Sequence, residues 1–95
     1  MGAFEWDDNK NATNRQKHGV SFGEAVTIFD GPILTHPDER HHSEVREISF
    51  GRLGGEVVVC VVHTRRGART RLISARKASK AERKLFDEYL EKAAG

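Results

Sequence analysis

The sequence predicts an α+β domain: a small antiparallel sheet of three to four strands, flanked by two N-terminal helices and one C-terminal helix. Three features carry that expectation. Residues 56–64, E-V-V-V-C-V-V-H-T, are apolar on both alternating sides, as a strand covered on both faces must be. Gly54-Gly55 before this run and Arg65-Arg66-Gly67-Ala68 after it are turn sequences that fold the chain back on itself. Two S-x-x-E capping boxes, Ser21/Glu24 and Ser79/Glu82, each open an apolar stripe of helical period.

Taken in order, residues 4–6 suit a short strand. Asp7 or Asp8 suits a helix N-cap and Gly19 a left-handed C-terminal position, which frames a helix over 9–18. Ala12 is its only clear apolar residue, so its docking must rest on Trp6 and on polar contacts. In the second helix, Val20 and Ala25 form a hydrophobic staple, and Phe22, Ala25, Val26 and Phe29 fall at i, i+3, i+4 and i+7. Asp30-Gly31-Pro32 ends it, residues 33–36 suit a short strand, and 37–42 read as a polar loop. Residues 44–52 place Ile48 and Phe50 on one strand face. Residues 69–75 set Arg69, Arg71 and Ile73 against Thr70, Leu72 and Ser74. The last helix offers Ala81, Leu85, Phe86, Tyr89 and Leu90 to the sheet. The expected core is Phe22, Val26, Phe29, Ile48, Phe50, the central valines, Leu72, Ile73, Leu85 and Phe86.

With 95 residues, the chain is expected to be one domain over 1–95. Its single Cys60 excludes an internal disulfide and a cysteine-based zinc finger, and it reads as an inert buried thiol. The longest apolar run, 57–62, is far short of the roughly 20 residues of a membrane span. The first residues lack the basic-then-apolar pattern of a signal peptide, so a cytoplasmic protein without membrane contact is expected. The net charge of +2 conceals an asymmetry. Residues 1–64 hold six Lys/Arg against ten Asp/Glu, whereas residues 65–84 hold nine Lys/Arg against Glu82 alone. Such a block attracts polyanions, or meets an acidic protein, or is simply a solvated face.

Three stretches resemble one family in order and spacing. They are F-E-W-D (4–7) with K-H-G-V-S-F-x-E-A (17–25), V-V-H-T-R (61–65), and R-L-I-S-A-R-K-A-S-K-x-E-R (71–83). Over nearly all of its length the chain resembles the BrnT toxins of bacterial type II toxin–antitoxin systems. The resemblance implies a ribonuclease toxin with a RelE-like fold, which acts on RNA and inhibits translation. It also implies a cognate antitoxin, a small DNA-binding protein that occupies the toxin. The toxin would then meet operator DNA only indirectly, through that antitoxin.

Metal-free RNA cleavage needs a base for the 2′-hydroxyl, cations for the phosphorane and an acid for the leaving 5′-oxygen. His63, at the end of the central strand beside the Arg65-Arg66 turn, is the candidate acid or base; the other reading is a histidine capping the core. Arg71 lies mid-strand, either solvated or aimed at phosphate. Arg76 and Lys77 precede the Ser79 cap, where helix amides add donors for a phosphate; the other reading is a basic loop paired with Glu82. Glu82 is first a capping residue and Tyr89 first a packing one. Arg65, Arg66, Arg69, Lys80, Lys17 and His18 complete the candidate RNA-binding set, although the helix dipole alone also favours Lys17 and His18 at a helix end. His36, His41 and His42 lack the spacing of a metal site, so neither metal nor other cofactor is expected. The competing function is a non-catalytic nucleic-acid- or protein-binding module that uses the same basic face. A third is a structural subunit whose basic patch meets only an acidic partner.

Overall fold

The computed structural model describes residues 3–40 and 43–94. Its elements are β1 (Ala3–Glu5), α1 (Asp8–His18), α2 (Phe22–Ala25) running into a 3₁₀ helix (Val26–Asp30), β2 (Ile33–Pro37), β3 (Glu47–Leu53), β4 (Val57–Arg66), β5 (Arg69–Lys77) and α3 (Lys80–Ala94). The strands form one sheet in the order β1-β5-β4-β3-β2, so the valine run is central. The expectation of three to four antiparallel strands is corrected to a five-stranded mixed sheet. Ala3–Glu5 reaches across the chain to pair in parallel with Arg69–Arg71, a contact no local signal announces. The other pairings are antiparallel.

The turns are as short as their glycines allow. Gly54 and Gly55 take φ of +66° and +93° between the paired Leu53 and Val57. Gly67, at φ +60°, turns the chain between the paired Arg66 and Arg69. Arg65 and Arg66 are therefore strand residues, not turn residues. Arg76 and Lys77 likewise end β5 rather than forming a loop after it.

Two layers cover the sheet. On one face Val20, Phe22, Ala25 and Ile28 pack on Val59, Val61, Leu72 and Ala75. The expected i+7 residue of this stripe, Phe29, is only half-buried, and Ile28 takes its place. The helix tightens to about three residues per turn after Ala25, so positions 22, 25 and 28 line up. The close approach has its own device at Gly51: a Cβ there would lie 2.7 Å from the Cβ of Ile28. Val26 and Ile48 are also half-buried rather than core.

α1 docks by amide chemistry, with Ala12 exposed. The buried Asn14 accepts from the Ala75 N–H at 3.1 Å and donates to the Ala75 carbonyl at 2.7 Å and the Val20 carbonyl at 2.9 Å. β1 covers only residues 69–71 of β5. Asn14 thus satisfies the strand edge that β1 leaves bare. Trp6 sits edge-on to Phe22 at 6.2 Å.

α3 lies on the other face, where Phe86 joins Phe50, Val58 and Cys60 and Leu90 packs alongside. The expected stripe is rotated. Leu85 is 62% and Tyr89 40% exposed, because with Phe86 and Leu90 inward their predecessors stand about 100° round the helix. A bulge between Val62 and His63 leaves Ile73 half-buried and unpaired. It sends Leu72 into the helix layer while Ser74 stays beside Val62, on the opposite face.

Candidate active site on the open face of the sheet

α3 covers only part of its face, and the remainder is a cleft of about 760 Å³. Register explains its contents. One row across the sheet reads Arg76, Cys60, Phe50, Leu34, and the next reads Ser74, Val62, Ile48, His36. Phe50 and Leu34 lie toward α3, so the open floor is Cys60, Val62, Ile48 and Ser74. Arg76 stands on one side, and His36, Asp38 and Arg40 on the other.

Arg76 is held by Glu82, Nη1 to Oε1 at 2.8 Å and Nη2 to Oε2 at 2.9 Å, and also donates to the Lys77 carbonyl at 3.2 Å. Glu82 accepts in addition from the Ser79 N–H at 2.8 Å, and its own N–H reaches Ser79 Oγ at 3.2 Å. The predicted capping box thus also fixes the guanidinium. Its hydrogen bonds to Arg76 chiefly hold the Glu82 carboxyl down at about 2, and the same bonds raise the Arg76 pKa.

Across the cleft, Arg40 donates from Nε at 2.9 Å and Nη2 at 2.7 Å to the two oxygens of the buried Asp38 carboxylate. Most of the Arg40 side chain remains exposed, so its fork is fixed yet accessible. His36 stacks on Phe50 at 5.6 Å, with Nδ1 3.2 Å from the Pro37 carbonyl. A carbonyl only accepts, so Nδ1 is the donor in that contact. Burial pushes the Cys60 thiol up despite the nearby Arg76, so the cleft floor holds no thiolate nucleophile.

The sequence candidates are scattered. His63 is corrected from rim to interior. It is 7% exposed beneath the 3₁₀ helix, edge-on to Phe29 at 5.3 Å, with Nε2 2.7 Å from Ser49 Oγ. Ser49 Oγ lies in turn 2.7 Å from Thr35 Oγ1. Burial lowers the pKa of His63, and the charge of Glu47 opposes the shift. Strand alternation sends Val59, Val61 and His63 to one face and Cys60 and Val62 to the other, so the imidazole and the cleft lie on opposite sides.

Arg71 donates to Glu5 at 2.7 Å. Arg66 lies 3.7 Å from Glu44, and Arg65 and Arg69 are exposed near the same hairpin tip. The strand rise separates Arg69 from Arg76 by roughly 23 Å, so the basic block does not gather over one point. Lys77 alternates to the side away from the cleft, and Lys80 lies exposed on the outer surface of α3. Lys17 and His18 border a groove that meets the cleft at Ser74. Of the nominated catalytic residues, only Arg76 lines the cleft. His36, Asp38 and Arg40 went unnominated because the β2–β3 connection has no tight-turn signature to reveal its register. The polar run Pro37-Asp38-Glu39-Arg40 after a short strand was the only signal. His41 and His42 lie outside the described residues. Among the described residues no three His, Cys, Asp or Glu side chains cluster as metal ligands, and no helix is long and apolar enough to cross a membrane.

The family model for BrnT, described as the ribonuclease toxin of a type II toxin–antitoxin system, matches residues 6–82. The chain belongs to the BrnT family. Membership brings RNA as the substrate class and a cognate antitoxin as the protein partner. The fold is similar to the 1.1 Å crystal structure of the Brucella abortus ribonuclease toxin BrnT. The TM-score is 0.64 at 23% identity, over 84% of this chain and 100% of that one. At that identity the likeness is one of fold. No curated protein matches.

Proposed function

We propose that the cleft cleaves RNA without metal, with the scissile phosphate between Arg40 and Arg76. His36 Nε2 takes the proton of the attacking 2′-hydroxyl. As the 2′-oxygen bonds to phosphorus and the bond to the 5′-oxygen breaks, leaving a 2′,3′-cyclic phosphate, the N–H donors that Arg40 and Arg76 keep free of their carboxylates stabilise the phosphorane, and a water molecule of the open cleft protonates the departing 5′-oxygen. One observation carries this reading: two arginines and an imidazole line the same recess. Arg65, Arg66, Arg69 and Lys80 serve RNA or antitoxin beyond the cleft, and Arg71 and Lys77 act as local charge. In this reading the toxin works in the cytoplasm and inhibits translation by cleaving RNA. A DNA-binding antitoxin neutralises it and provides its only link to operator DNA.

Purified protein should cut single-stranded RNA equally well with and without chelator. Arg76→Ala should slow cutting by about 10²-fold, the scale of one lost transition-state donor, and lower the melting temperature only modestly through the lost Glu82 pair. Cutting that chelator abolishes, or that Arg76→Ala leaves intact, overturns the reading. The pairing of both cleft arginines with carboxylates favours the alternative, a non-catalytic binding module. Product that accumulates over many turnovers eliminates it.

A further inference from the structure

The cations near the cleft are compensated, and those beside α1 are not. The two arginines that line the cleft, Arg40 and Arg76, each sit on a carboxylate. Lys10 and Lys17 make no ion pair among the described residues. Both line a second depression of about 340 Å³ between α1 and β5, together with Thr13, His18, Ile73 and Ser74. Its walls carry no carboxylate. Ser74 also lines the cleft, so the two recesses adjoin at one side chain.

The geometry suits an extended polyanion. Lys10 and Lys17 are seven residues apart, so they stand on one helix face about 10 Å apart along the axis. Thr13 lies between them on that face. Asn14 fixes this stripe against β5 through its bonds to Ala75, so the lysines are presented by a docked helix rather than by a loose surface. Ile73 is the only large apolar side chain in the walls, so a protein partner would find no buried anchor here. Ammonium groups along a groove of donors are instead what a phosphodiester backbone needs.

We infer that this groove is a subsite for the phosphates flanking the cut. The favoured substrate is then a single strand of several nucleotides running from the Arg40–Arg76 cleft past Ser74 along α1. This rests on the cleft being the cleavage site. The test therefore measures binding as well as cutting. The probe is a single-stranded oligonucleotide of about eight deoxynucleotides, which lacks the attacking hydroxyl and spans several phosphates.

Each single-strand phosphate contact contributes about 0.7 to the slope of log K against log salt, so Lys10→Gln/Lys17→Gln should flatten that slope by about 1.4. The KM for an RNA of the same length should rise roughly threefold to fivefold per lysine, the size of an exposed charge pair. Lys92→Gln, near the end of α3, controls for net charge. Exposed Lys→Gln changes hardly alter helix propensity, so the fold should persist. An unchanged slope in the double variant, or an equal change with Lys92→Gln, overturns the subsite. If Arg76→Ala abolishes cutting while the slope is unmoved, only the subsite falls. If Arg76→Ala cuts normally, the cleavage reading falls, and the deoxynucleotide slope still decides whether the groove binds a strand.

Discussion

Each face of the sheet carries a histidine, and the two could hardly be placed more differently. His63 lies beneath the 3₁₀ helix, bonded to Ser49 and pressed against Phe29. His36 lies exposed on the half-covered face, its ring stacked on Phe50 at the wall of the cleft. One belongs to a layer closed by Phe22, Ala25 and Ile28, the other to a layer that α3 leaves partly bare. Residue type alone marked His63, with arginines next to it in sequence, as the stronger catalytic candidate. The two-residue period of the strand instead puts the His63 imidazole on the closed face, away from solvent.

The largest expected effect separates the two histidines. His36→Ala should lower the cleavage rate by about 10² to 10⁴, the usual contribution of a proton-transfer group, with no loss of melting temperature. His63→Ala should do the reverse. It opens a cavity against Phe29 and strands the Ser49 hydroxyl, costing about 2–4 kcal/mol of stability, while folded molecules keep cutting. His63→Gln, which can still bond Ser49, keeps the comparison readable if the alanine variant does not fold. A folded, inactive His63→Gln beside an active His36→Ala would reverse the assignment of the faces.

The same contrast shows what a sequence reveals. Ser21/Glu24, Ser79/Glu82, Gly19 and the Gly54-Gly55 turn were all legible, because each is a contract among residues within three or four positions. The parallel pairing of β1 was not, since Glu5 meets Arg71 across 66 residues of chain. Nor was the cleft. It is assembled from the end of β2, the middle of β4 and the end of β5, and its contents depend on register and on a bulge at Ile73 that alternation alone does not foresee. The basic block was correctly counted but wrongly gathered, because an extended strand spreads its charges along its length and Glu5, Glu44 and Glu82 return to neutralise them.

Packing offers a second way to sharpen the difference. The closed face has no spare volume at Gly51, where a Cβ would meet the Ile28 Cβ at 2.7 Å. Gly51→Ala should therefore cost about 1–3 kcal/mol as the 3₁₀ helix is pushed from β3. The open face has room, so Ser74→Ala in the shared wall of cleft and groove should stay within about 0.5 kcal/mol, like an ordinary surface change. Urea unfolding of the two variants measures both. Equal losses would mean that the faces are equally tight and that the cleft closes in solution.

Acid gives the smallest and most selective contrast, because each face titrates in its own window. Burial depresses the folded-state pKa of His63 below its ordinary 6.5, so the unfolded chain binds more protons there. Stability should then fall as pH drops below about 6.5, on the closed face first. Glu82 sits at about 2 in the fold against 4.5 unfolded, so its contribution is present above 4.5 and is lost only as pH falls from there toward 2. Because the Glu82 pair is only half-buried, that second loss should be modest and partly screened by salt. Melting temperatures followed downward from pH 7.5 should begin to fall near pH 6, and His63→Gln should remove that first decline while leaving the one below pH 4.5. If the first decline survives in His63→Gln, the proton is entering elsewhere, and the closed face is not the acid-sensitive half of the sheet.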